Sequence, residues 1–257
     1  MEPLDGGYHA AVAVGSPSRR QLPRALALLE WRNTVVTRRT GNSQCPIGGP
    51  PDDLFVSYSS VTRTQLEQFE VLLDKNSSET GLDKFLRDNL SVLVNSLKVL
   101  KTGYDGAWII SKQHIQASMS SIQNGLIPDF IVGGCNSCCF SWFVLHLDGA
   151  HQKILTEDNN FLYFNSTVNM AIGQVIEYID YCAAANSFLR NSLCLTDFRE
   201  PKGLIIVGRE SEFSDDPRRE KFKSTWNRLM GHKIELMTYD AILRYVRSEV
   251  EFKENRL

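Results

Sequence analysis

The sequence predicts an α/β fold, a mixed β-sheet with helices packed on it. Three observations carry this. Ile127–Val132 and Ser141–Leu147 are apolar runs joined by eight residues containing Gly and Cys, which suit a hairpin with a somewhat long loop. Gly203-Leu-Ile-Ile-Val-Gly208 is a continuous apolar run between glycines, the signature of a buried strand. Amphipathic helical stretches alternate with these strands, and interleaving of this kind implies a sheet covered by helices.

The elements follow in chain order. Residues 1–20 and 40–53 are rich in Gly, Pro and Ser and read as loop or disorder, with some helical character over Leu22–Arg32. The expected division is therefore an N-terminal segment, 1–63, largely without fold, and a folded domain, 64–257. Gln65–Leu73 places Leu66, Phe69 and Leu73 at helical spacing. Ser77 or Ser78 caps a second helix with Glu79 in its first turn, and Leu82, Phe85, Leu86, Leu90 and Leu93 share its apolar face. Trp108-Ile109-Ile110 is a short strand, and Ile127–Val132 is a better one, ended by Gly133-Gly134.

Asn165 or Ser166 caps a long helix, with Val168, Ile172, Val175, Ile179 and Cys182 as its apolar stripe. Gln174 and Tyr178 lie four apart on another of its faces. Asp216–Met230 is a helix stopped at Gly231, Lys233–Met237 a strand, and Thr238 the cap of a final helix.

Composition narrows the function classes. The net charge of −2 does not mark a nucleic-acid binder, although residues 1–50 carry six arginines against three acids. No stretch approaches the roughly 18 apolar residues of a membrane span and no secretory leader is visible, so the expected location is the cytoplasm, with reduced thiols. Cys135, Cys138 and Cys139 form one CxxCC cluster without a second ligand pair, which fits a hairpin tip better than a zinc site.

The chemistry-bearing block is Pro128-Asp129, the hairpin, and His146-Leu147-Asp148. Alternate residues of a strand face one side, so His146 and Asp148 point together, with Asp129 on the neighbouring strand. Two carboxylates and an imidazole at a sheet edge suit a divalent cation: Mg²⁺ by its oxygen preference, Mn²⁺ or Zn²⁺ if the imidazole ligates. Such a metal activates water and neutralises phosphate.

Four stretches in order carry a resemblance: Glu79–Asn89; Pro128-Asp129-Phe130 with Trp142–Asp148; Lys153–Thr156 leading to Ala171–Tyr178; and Gly203–Arg209 followed by Thr238-Tyr239-Asp240. They resemble the PD-(D/E)XK phosphodiesterase core, and more closely the nuclease domain of the Shedu (SduA) antiviral proteins. The resemblance implies a metal-dependent DNA endonuclease of a defence system, acting with Mg²⁺ or Mn²⁺ as a homo-oligomer. DNA is then the partner, with no membrane and no small-molecule substrate.

By position, the resemblance makes Glu79, Asp129 and Asp148 the metal acids. Asp129, His146, Asp148 and Gln174 become the catalytic set, with Tyr178 and Lys153 positioning substrate. The sequence departs from the pattern where Glu-x-Lys has become His146-x-Asp148, which removes the lysine that stabilises developing negative charge. Lys153, five residues on, is a candidate replacement. The alternative reading is a nuclease fold that no longer cuts but still binds nucleic acid or a partner subunit.

Overall fold

The computed structural model describes residues 49–75, 77–96, 106–115, 126–135 and 139–255, which belong to one compact unit. The readings made for residues 1–48, and for Cys138, lie outside these residues.

A six-stranded sheet forms the middle layer. Its strands are β1 (Phe55–Ser57), β2 (Gly106–Ser111), β3 (Phe130–Cys135), β4 (Phe140–Leu147), β7 (Lys202–Ile206) and β8 (Ile234–Met237), in the order β1-β2-β3-β4-β7-β8. The pairs from β1 to β4 are antiparallel, and β4-β7 and β7-β8 are parallel. β1 lies ahead of the boundary expected at residue 64. Three residues with only a partly buried face carry too weak an alternation to be read as a strand.

One face is covered by α1 (Arg63–Asp74), α2 (Glu79–Asp88), α3 (Leu90–Ser96) and α7 (Tyr239–Glu254). Leu66, Phe69 and Leu73 of α1, and Ile242 and Val246 of α7, are buried there against Val132, Leu145 and Ile206. Each such side chain contributes about 1.5–3 kcal/mol by leaving water. Residues one position along the strands, Ile131, Val144 and Ile205, point to the opposite face. That face carries α4 (Ser166–Ala184), α5 (Asn186–Asn191) and α6 (Pro217–Met230). Among the described residues, no helix is long and apolar enough to cross a membrane.

Ser78, Asn165 and Thr238 cap their helices as the sequence announces, and Thr62 and Asp216 add two caps that it did not. Thr62 and Gln65 form a capping box on α1, and Ser78 accepts from the Gly81 amide at the start of α2. Asn165 accepts from Val168 at 2.9 Å and Asp216 from Arg218 at 2.9 Å, while Thr238 caps α7.

Three local readings change. The helix expected to run through Leu90 and Leu93 breaks at Asn89, giving α2 and α3. Gly133 and Gly134 continue β3 rather than end it, because the Trp142 ring on β4 lies over Gly133 and leaves no room for a Cβ. Gly231 has φ −65°, so its glycine answers the close approach of the Asn227 carbonyl rather than a left-handed turn.

The sequence reading also missed a hairpin, β5 (Leu155–Asp158) and β6 (Phe161–Phe164), paired as a separate two-stranded sheet. Its turn residues Asn159 and Asn160 both have positive φ, 49° and 67°, as a type I′ turn requires.

Candidate functional site

The site lies where β3 begins and β4 ends. Phe130 pairs with Leu145, so Asp129 stands beside His146 across the ladder. Asp129 is buried, and its carboxylate is fully engaged. Oδ1 pairs with the Lys112 ammonium; Oδ2 accepts the Leu147 amide at 2.7 Å and lies 3.3 Å from His146 Nδ1. The other imidazole nitrogen, Nε2, lies 3.6 Å from Asp148 Oδ2. His146 therefore bridges the two aspartates expected to hold a metal.

The electrostatics follow from this packing. Burial works to lower the His146 pKa, but Asp129 and Asp148 outweigh it and raise it to about 9. Near neutrality the ring is then an imidazolium that faces a carboxylate on each side. Burial alone would raise Asp129; His146, Lys112 and the Leu147 amide together hold it below the usual carboxylate range. Lys112, opposed by its own burial, is raised by Asp129 and Asp83. Glu79 is raised by burial and then by the like charges of Asp148 and Asp129, which places it within the field of the site.

Two residues here had no role in the sequence reading. Lys112 follows β2 with φ 47°, a left-handed conformation that costs a non-glycine residue energy. Its amide donates to the Asp129 carbonyl at 2.9 Å, and its ammonium also lies 3.5 Å from Asp83 Oδ1. Asp83 is one helical turn beyond Glu79 and pairs with Arg87 at 2.9 Å. Glu79 and Asp83 at i, i+4 on one helix was the available signal. For Lys112 there was none, since a kinked residue after a strand has no period.

The remaining expected residues are placed differently. Tyr178 is half-buried, and its hydroxyl donates to the Ile127 carbonyl at 3.4 Å. Burial, and then the charge of Asp129, push its pKa up. Gln174, one turn earlier on α4, is exposed. Lys153 is exposed; its backbone carbonyl accepts from the Asn165 side chain, and the cation beside Asp129 is Lys112 instead. Tyr239, fully buried, donates to the Asp148 carbonyl at 2.6 Å and ties the end of β4 to α7.

A divalent cation does not fit this donor set as it stands. Asp129 has both oxygens taken, and His146 presents two N–H groups to carboxylates. Among the described residues, no group of three or more His, Cys, Asp or Glu side chains is placed to hold a metal ion. The chain's own cations, Lys112 and His146, occupy the centre of the acid cluster.

Residues 76–243 match the family described as Shedu protein SduA, C-terminal, a span that contains every residue of the site from Glu79 to Tyr239. No curated protein matches the chain. With the family match covering well over half of its length, the chain belongs to the Shedu SduA C-terminal family.

Proposed function

We propose that this protein acts in a Shedu-type antiviral defence system in the cytoplasm, through a PD-(D/E)XK-like domain that engages DNA without cutting it. The fold supports the nuclease-like ancestry. An acid-bearing helix, a Pro-Asp at the head of one strand, an antiparallel neighbour and a crossover helix come in the order of that core. The observation that carries the loss of cleavage is His146, held as a cation between Asp129 and Asp148. A phosphodiesterase of this class needs those carboxylates for metal. Here they neutralise a side chain. DNA contacts fall to basic side chains elsewhere, such as the six arginines that residues 1–50 carry against three acids. Homo-oligomerisation belongs to the same proposal.

A second reading, the metal-dependent endonuclease with Mg²⁺ or Mn²⁺, is favoured by one observation. Lys112 returns a lysine to the cluster after Asp148 has replaced the one in the strand motif.

One experiment separates the two. Purified protein is incubated with plasmid and linear DNA in Mg²⁺ and in Mn²⁺, beside Asp129→Ala, and retention of the same DNA is followed by gel shift. The proposal expects a gel shift and intact DNA. Cleavage by the wild type that disappears in Asp129→Ala overturns it in favour of the endonuclease. Absence of both cleavage and shift overturns it in favour of a subunit-binding role.

A further inference from the structure

β7 and β8 are parallel neighbours, but the helices that follow them leave for opposite faces of the sheet. Phe222 and Trp226 of α6 pack with Ile205, Val207 and Leu236. Ile242 and Val246 of α7 pack with Leu204, Ile206 and Met237. Where successive connections diverge in this way, a crevice opens beyond the carboxyl ends of the strands, the place where open α/β sheets take ligands. Here the crevice is a cavity of about 440 Å³ between residues 210–214, α6 and α7. Its size falls within the range of small-molecule sites.

Most of the charges around it are already matched. Glu210 accepts from Arg244 at 2.9 Å and from the Thr238 hydroxyl at 3.1 Å. Asp240 accepts from Arg209 and from the Glu210 amide. Arg247 reaches out to Glu70 of α1 at 2.7 Å. Lys223 and Glu220, three residues apart on α6, are the two lining charges that form no ion pair among the described residues. The Lys223 ammonium stands 5.5 Å from the centre of the Phe213 ring, and among the described residues no carboxylate forms an ion pair with it. Glu210, Glu220 and Glu235 act on it only through space, and burial pulls its pKa below the usual lysine value. The side chains of Ser211 and Ser214 border the same space. A half-buried cation on an aromatic face, with no carboxylate in ion-pair contact and hydroxyl-bearing residues beside it, can receive an oxyanion.

We propose that this crevice binds a small phosphate monoester of about mononucleotide size, with the phosphate on Lys223 and the hydroxyls of Ser211 and Ser214. The site is separate from the Asp129 cluster and does not depend on whether that cluster cuts DNA.

The test uses the full chain, with melting temperature and calorimetric titration as readouts. The probes are adenosine 5′-monophosphate, inorganic phosphate, and adenosine as the uncharged control. The wild type is expected to be stabilised by the monophosphate at millimolar concentration, more weakly by phosphate, and not by adenosine. K223M keeps the aliphatic stem over Phe213 and is expected to weaken the monophosphate by at least about tenfold. S214E, at an exposed position, is expected to do the same by placing a negative charge in the phosphate position without touching the core. Its effect decides the matter if K223M does not fold. No binding of either phosphate probe by the wild type overturns the proposal, as does undiminished binding by S214E or by a folded K223M. An equal response to sulfate at matched ionic strength identifies general anion binding and also overturns it.

Discussion

His146 Nδ1 stands 3.3 Å from Asp129 Oδ2, and this contact makes the fold's stability depend on pH in a definite direction. The His146 pKa is raised from 6.5 to about 9. Its contribution is fully present below about pH 6.5 and is lost as pH rises through 9. The Asp129 pKa is lowered from 3.8, so its contribution is present above that value and is lost as pH falls through the folded-state pKa. Urea denaturation of the wild type is expected to lose about 3 kcal/mol between pH 6 and pH 10 on account of His146. His146→Gln is expected to remove that part of the slope. An unchanged slope in the variant would assign it to other groups.

Asp129→Ala removes one of the two carboxylates beside each of Lys112 and His146 and leaves the Leu147 amide unpaired. Removing one member of a buried charged group is expected to cost about 3 kcal/mol or more. Asp129→Asn, which keeps an acceptor for the amide, should cost less. Chemical denaturation checks the order. If the alanine variant proves equally or more stable, the carboxylate is a strained remnant of function rather than a structural anchor.

Tyr239→Phe deletes only the hydroxyl that donates to the Asp148 carbonyl at 2.6 Å inside the protein. The expected loss is about 1–2 kcal/mol, the cost of leaving a half-buried acceptor without its partner. Hydrogen exchange should quicken at the end of β4 and the start of α7, while β2 stays protected.

Two glycine substitutions are expected to move stability in opposite directions. A Cβ on Gly133 would lie 2.4 Å from the Trp142 ring, so Gly133→Ala is expected to destabilise by about 1–3 kcal/mol. Gly173 is exposed within α4 with nothing within 4 Å, so Gly173→Ala is expected to stabilise by up to about 1 kcal/mol. Thermal melting of the pair reads both at once.

Elements whose pattern repeats are legible in the sequence. The stripe Leu66, Phe69, Leu73 and the cap at Thr238 sit where spacing and side-chain chemistry place them. So does the meeting of Asp129, His146 and Asp148, because strand alternation fixes which side chains share a face. What escaped depended on contacts distant in sequence or on backbone geometry. Lys112 reaches the site through a left-handed kink, and Gly133 owes its place in β3 to a tryptophan on the next strand. The β5-β6 hairpin was readable in principle from Asn159-Asn160 between two short β-prone runs. Four-residue strands give an alternation too brief to stand out.

β4 is the only described strand with an antiparallel neighbour on one side and a parallel neighbour on the other, and this divides the order in which the chain can assemble. β3 and β4 lie only four residues apart in sequence, so their pairing closes a small loop at little entropic cost. The β4-β7 pair must first bring together segments separated by β5, β6, α4 and α5. Contacts of such long sequence separation slow folding, so the β4-β7 pair is expected to form after the β3-β4 hairpin. The hairpin that carries Asp129 and His146 is on the early side of that order. The Asp148–Tyr239 link, 91 residues apart in sequence, is expected on the late side, so the charges of the cluster can gather before the tyrosine that ties them to α7 arrives.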